Sequence, residues 1–145
     1  MSRGKNKLLV SILILVLILG SLAYYFYNKG PVDVRNETGI KINATELYKT
    51  FLSDSIVAKQ QYAHKILEVS GVVINVAKNV QAQDIILLKT STEGASVNCT
   101  LEEFIKNIKP GDKVVLKGIC IGIGQGAPDL GITADVYLAR CYLQQ

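Results

Sequence analysis

Leu8 to Tyr27 runs without a single charged residue, and no other feature of the chain limits its fate so sharply. Roughly twenty apolar residues in helical form cross the ~30 Å hydrocarbon core of a bilayer. The run closes on Tyr24, Tyr25, Phe26 and Tyr27, amphipathic rings that settle at headgroup level, before Asn28 and Lys29 return the chain to water. Arg3, Lys5 and Lys7 precede the run, and Lys29 follows it. By the positive-inside rule, residues 1–7 stay in the cytoplasm and everything beyond Lys29 is exported. The expected organisation is a cytoplasmic basic segment at 1–7, a transmembrane signal anchor at 8–27, a linker at 28–42 and an exported domain at 43–145. A competing reading takes Ser21-Leu22-Ala23 as a small-x-small cleavage site, with release of the chain after Ala23. The aromatic continuation past Ala23 favours the anchor.

Charge separates along the same boundary. The net charge of +4 is carried by Arg3, Lys5, Lys7 and Lys29, so the stretch from Gly30 onward is formally neutral. The basic balance is a topology signal and gives no support to a polyanion partner. The three cysteines, Cys99, Cys120 and Cys141, form no C-x-x-C pair, and His64 is the one histidine, an inventory that does not suit a zinc site. Two readings of the cysteines stand side by side: small buried hydrophobes on the apolar faces of their strands, or a disulfide in an oxidising compartment.

Gly30 to Lys41 mixes Pro, Gly, Asn and charges without period and reads as a juxtamembrane linker. Asn43 is a natural N-cap with Glu46 three residues on, and Leu47, Tyr48, Phe51, Ser55, Ala58 and Tyr62 recur at helical steps. One amphipathic helix is expected there. From Ile66 the period becomes two: Leu67, Val69 and Val73 alternate with Glu68 and Ser70, and the slip across Gly71 suggests a bulge or bend in a long strand. Further strands are expected at 84–89, 95–100, 113–121 and 132–143, with a short helix over Leu101–Ile108 that stops at Pro110-Gly111-Asp112. Three strands, a short helix and two more strands, with the first strand bent, is the order of an OB-fold, a five-stranded Greek-key barrel, here with an added amino-terminal helix. In such a barrel the last two strands are antiparallel neighbours, and alternation makes Cys120 with Cys141 the expected disulfide pair, leaving Cys99 free.

Several segments also resemble the tRNA-anti-like family of small bacterial OB-fold domains, many of them membrane-anchored or exported. The resemblance rests on Ala44 to Leu47, Phe51, Asp54, Ala58 and Tyr62, on Lys65 to Val73 and on Val97-Asn98-Cys99. It continues through Gly111 to Val114, Lys117 to Gly122 and a closing Cys141. It implies an anticodon-binding-like fold and brings no ligand with it.

Three classes of function compete. The expected one is a non-catalytic binding or interaction module on the outer face of the membrane, held by its anchor and meeting an envelope protein or an oligosaccharide. Its candidate ligand loop joins the last two strands and contains Gly122, Gly124, Gln125, Gly126 and Asp129. The glycine spacing is no dinucleotide site, because no helix follows to present its N-terminus. The alternative is an oligonucleotide-binding protein, which needs a basic groove and stacking rings. The strands at 84–89 and 95–100 contain no aromatic residue, which counts against it, and Lys78, Lys89 and Lys117 are the cations that could form a local patch. An enzyme is the third reading and is not expected. His64 reads as a structural residue beside Lys65, Glu102 and Glu103 as acids at a helix start, and no cofactor or metal ligand set emerges.

Overall fold

In the computed structural model, which describes residues 3–28, 30 and 32–144, helix α1 covers Arg3–Asn28. Its segment Leu9–Asn28 has a mean hydropathy of 2.5 and is long and apolar enough to cross a membrane. Its two serines back-bond to the helix, Ser11 donating to the Lys7 carbonyl and Ser21 to that of Ile18. A second unit begins at Asp33 and runs to the C-terminus.

That second unit is a barrel with helices packed onto its core. Its elements are β1 (Ile40–Asn43), α2 (Ala44–Ser53), α3 (Ser55–Tyr62), β2 (Ile66–Lys78), β3 (Asp84–Lys89), β4 (Ser96–Leu101), β5 (Lys113–Ile123), a 3-10 turn at Pro128–Leu130, and β6 (Val136–Gln144). The sheet order is β1-β2-β3-β4-β6-β5, and pairing of β5 with β2 closes β2 to β6 into a barrel. β4 and β6 run parallel, Val97 opposite Val136, while the other pairs within the barrel are antiparallel. This is the OB-fold with β1 added in parallel along the first half of β2.

Alternation decides what is inside. Leu67, Val69 and Val73 from β2, Ile86 and Leu88 from β3, and Val97, Cys99 and Leu101 from β4 are buried, and so are Leu116, Cys120, Val136, Leu138 and Cys141 from the last two strands. α2 adds Ala44, Leu47, Tyr48 and Phe51 to the same core, and α3 adds Ala58 and Tyr62. Each large side chain so buried contributes about 1.5–3 kcal/mol. The inward phase of β2 persists through Gly71, and the irregularity falls between Val73 and Asn75, at Ile74 rather than at the glycine.

Three expectations are corrected. The single helix from Asn43 is two helices, because Asp54 takes an extended conformation and its carboxylate accepts the Ile56 and Val57 N–H groups as the N-cap of α3. The short helix over Leu101–Ile108 does not form: Thr100 is held in the ladder opposite Ile85, Glu102 donates its N–H to the Cys141 carbonyl, and Asn107 has a φ of 77°. Ile105 and Ile108 still pack on the core from this irregular segment. The linker expected at 28–42 also ends early. Val34 is buried and the segment from Asp33 belongs to the barrel unit. Lys117, itself buried, donates to the carbonyls of Arg35 and Glu37 at 3.3 and 2.8 Å and pairs with Glu68 at 3.5 Å. The Arg35 guanidinium lies over the Tyr142 ring and pairs with Glu103. These contacts strap residues 33–39 across β5 and β6.

Candidate functional site

An open groove of about 990 Å³ lies on the barrel unit. It forms where β2 turns from one set of neighbours to another. Asn43 of β1 lies opposite Ser70 of β2, Ser70 opposite Val115 of β5, and Val115 opposite Gln144 of β6, giving one row across four strands. Val72 with Lys113 and Gly71 with Val114 continue the floor. The first two turns of α2 border it with Ala44, Thr45, Glu46 and Lys49, and Lys89 with Thr90 border it from the end of β3. α2 starts at this position because the Asn43 side chain accepts the Glu46 N–H at 2.8 Å.

The chemistry of the lining is simple. Its titratable groups are Lys49, Lys89 and Lys113 against the single carboxylate of Glu46; it has no thiol, imidazole or aspartate, and no aromatic ring. Among the described residues, none of these three ammonium groups has an ion-pair or hydrogen-bond partner. The half-buried Ser70, Thr45 and Gln144 side chains likewise have none. The Thr90 hydroxyl is committed, donating to the Ala95 carbonyl and accepting the Thr92 N–H. Such a lining can attract, hydrogen-bond and hold a ligand.

The residues singled out in the sequence are not brought together here. Gly122, Gly124, Gln125, Gly126 and Asp129 lie in the β5–β6 connection, away from the groove lining. Two of these glycines answer to close packing. A Cβ on Gly124 would stand 2.7 Å from the Tyr137 ring, and one on Gly126 2.8 Å from the Ala134 nitrogen. The connection is itself paired through Ala127 and Ile132, which exchange both backbone hydrogen bonds. Gln125 and Asp129 are exposed. Of the three lysines expected to face outward, Lys117 is the buried strap and Lys78 pairs with Asp84 at 2.8 Å; Lys89 alone reaches the groove.

The cysteines follow the buried-hydrophobe reading. All three are free and fully buried. The expected Cys120–Cys141 pair is not formed, because irregularities on either side of Ile119–Cys120 set Cys120 opposite Leu138. Cys141 instead pairs across to β4 opposite Leu101, and its thiol bonds that of Cys99. This hydrogen bond, with burial, drives the Cys99 pKa well above its ordinary value, and burial pushes Cys120 up to about 11. These thiols are poor nucleophiles. His64 is exposed, sits at a φ of 62°, and donates its backbone N–H to the Cys120 carbonyl. Glu102 and Glu103 begin no helix and pair instead with Arg140 and Arg35.

Sequence reasoning missed Lys49, Lys113 and Tyr137. Tyr137 completes an outer row with Asn75, Leu87 and Asn98, yet only the parallel β4–β6 register places it there. Nothing local in the sequence marks it.

Barrel closure, strand order and the parallel β4–β6 pair define an OB-fold domain, here in a chain that also carries one long apolar helix. The chain matches the tRNA_anti-like family over residues 1–130 and belongs to it. The match takes in the apolar helix as well as most of the barrel, a wider span at the amino-terminal side than the motifs alone carry. No curated protein matches. Among solved structures, it is similar to one described as a "putative aspartyl-tRNA synthetase from Leishmania major Friedlin", at 10% identity and a TM-score of 0.43. That similarity covers 78% of this chain and 22% of the other, so the chain spans about a fifth of that protein's length.

Proposed function

We propose that this chain is a single-pass membrane protein whose amino-terminal helix anchors an OB-fold binding module outside the cytoplasm, and that the module holds a ligand in its groove without converting it. The single observation that carries this reading is the groove lining: unpaired donors around an aliphatic floor, with no hydroxyl hydrogen-bonded to an amine or a carboxylate. The three basic residues before the apolar run support export of the barrel. An envelope protein or an oligosaccharide fits the location as partner.

A photo-crosslinking residue at Val72, in the groove, and another at Leu130, in the β5–β6 connection, test the site in living cells. A defined adduct from position 72 and none from 130 is expected; the reverse pattern, or no adduct from either, defeats the groove assignment. A reporter active only outside the cytoplasm, fused after Gln145, is expected to work, and its failure defeats the topology. The oligonucleotide reading draws on Tyr137, the one ring on the outer row of the barrel strands, where a base could stack. Salt-sensitive binding of single-stranded RNA that is lost in Tyr137→Ala would favour that reading instead.

A further inference from the structure

The groove's unpaired groups specify a charge. Lys78, Lys117 and Arg35 are each held by a carboxylate, Lys117 by two carbonyls as well, and so are not free to meet a ligand. At the groove, Lys49, Lys89 and Lys113 oppose only Glu46, a local excess of two positive charges in a domain whose overall charge is zero. The first turn of α2 adds the positive end of its dipole to the same rim. Ser70 and Thr45 supply unpaired hydroxyls, and Gln144 an unpaired amide.

From this geometry we infer that the groove binds a phosphate monoester carried on a non-aromatic body. A phosphate monoester near neutral pH carries close to two negative charges and three acceptor oxygens, which match the charge excess and the donors. The body follows from the rest of the lining: Val72, Val115 and Leu143 offer aliphatic contact, and no ring is present to stack on a base. The inference rests on the groove being the binding site. Two sources could present this chemistry, a soluble phosphorylated polyol or sugar, or the monoester headgroup of phosphatidic acid.

The test uses the full chain in nanodiscs of phosphatidylcholine, titrated calorimetrically with glycerol 3-phosphate. Saturable binding that weakens as salt rises is expected, with glycerol alone inert. The exposed pair Lys89→Gln and Lys113→Gln, combined, is expected to weaken it by about tenfold or more, while Lys106→Gln, outside the lining, leaves it unchanged. Circular dichroism checks that the variants keep their fold. Adding phosphatidic acid, whose headgroup is itself a phosphate monoester, to the disc is expected to lower the apparent affinity for free glycerol 3-phosphate if lipid headgroups occupy the groove, and to leave it unchanged if the soluble ester is the ligand. No saturable binding, or binding indifferent to the lysine pair, overturns the inference. A Val72 crosslink that persists in the lysine variant overturns the phosphate assignment and leaves the groove standing as a site; loss of that crosslink in the wild-type chain removes both.

Discussion

Adding one methyl group to Gly118 is expected to destabilise the barrel, and removing one sulfur from Cys141 is expected to restore most of the loss. Gly118 is buried in β5. A Cβ built on it would stand 2.4 Å from the Cys141 sulfur, 3.1 Å from the Ala139 carbonyl oxygen and 3.4 Å from the Cys141 Cα. Non-bonded heavy atoms prefer about 3.5–4.0 Å, so the sulfur contact overlaps by more than about 1 Å. Cys141 has little freedom to yield, being fully buried and fixed opposite Leu101. Overpacking of this kind costs about 1–3 kcal/mol, and the severity of the overlap puts Gly118→Ala near the upper end. Cys141→Ala alone removes one buried heavy atom and costs about 1 kcal/mol. In the double variant the new methyl occupies the space the sulfur left, so the combined loss is expected near 1–1.5 kcal/mol, a coupling of about 2.5 kcal/mol.

Urea titration of the full chain in detergent, followed by near-ultraviolet dichroism of the barrel tyrosines, measures all four members of the cycle. Gly118→Ala is also expected to lower the melting temperature by roughly 10 °C for a domain of this size. Additive losses in the double variant would refute the reasoning, since they would mean that the two positions do not meet. A Gly118→Ala change within about 0.5 kcal/mol of neutral would refute it as directly.

Three further outcomes are expected. Lys117→Met removes two carbonyl hydrogen bonds and strands Glu68, so it costs about 2–4 kcal/mol and exposes Arg35 to trypsin in the native protein; an uncut strap of unchanged stability would contradict this. Asp54→Ala removes the cap shared by Ile56 and Val57 and costs about 1 kcal/mol, read as a lower urea midpoint at an unchanged slope. The Cys120 thiol, raised from 9.0 to about 11, keeps its proton in the fold after the unfolded chain has lost it, so its contribution is full below pH 9 and is lost as the pH climbs toward 11. Urea midpoints across that range test it, with a shallower decline expected in Cys120→Ala.

The parts of the fold written locally were legible, and the parts set by distant contacts were not. The apolar run, the strand alternation at Leu67, Val69 and Val73, and the Asn43 cap each express a burial face or a hydrogen bond within a few residues. Asp54 fits a helix as readily as it caps one, so nothing near it announced the break between α2 and α3. Leu101, Phe104, Ile105 and Ile108 have helical spacing, yet the ladder holding Thr100 and the bond from Glu102 to Cys141 leave the segment irregular. β1 was hidden for the same reason. Its pairing with β2 accompanies a strap held by Lys117, far along the chain.

The site was hidden more deeply, because net charge is an average and recognition depends on which charges remain unpaired. The neutrality of the stretch from Gly30 onward argued against a polyanion, and that argument still stands for a long strand that must meet many cations at once. A small ligand needs only a few. Lys78 and Lys117 looked available in the sequence and are consumed by Asp84 and Glu68; Lys49 and Lys113 drew no notice and are left unpaired. Their convergence depends on Val72 lying opposite Lys113, on Asn43 lying opposite Ser70, and on α2 beginning where Asn43 caps it. A cation reaches this groove through strand register, and register is a property of pairs of segments that no single segment encodes.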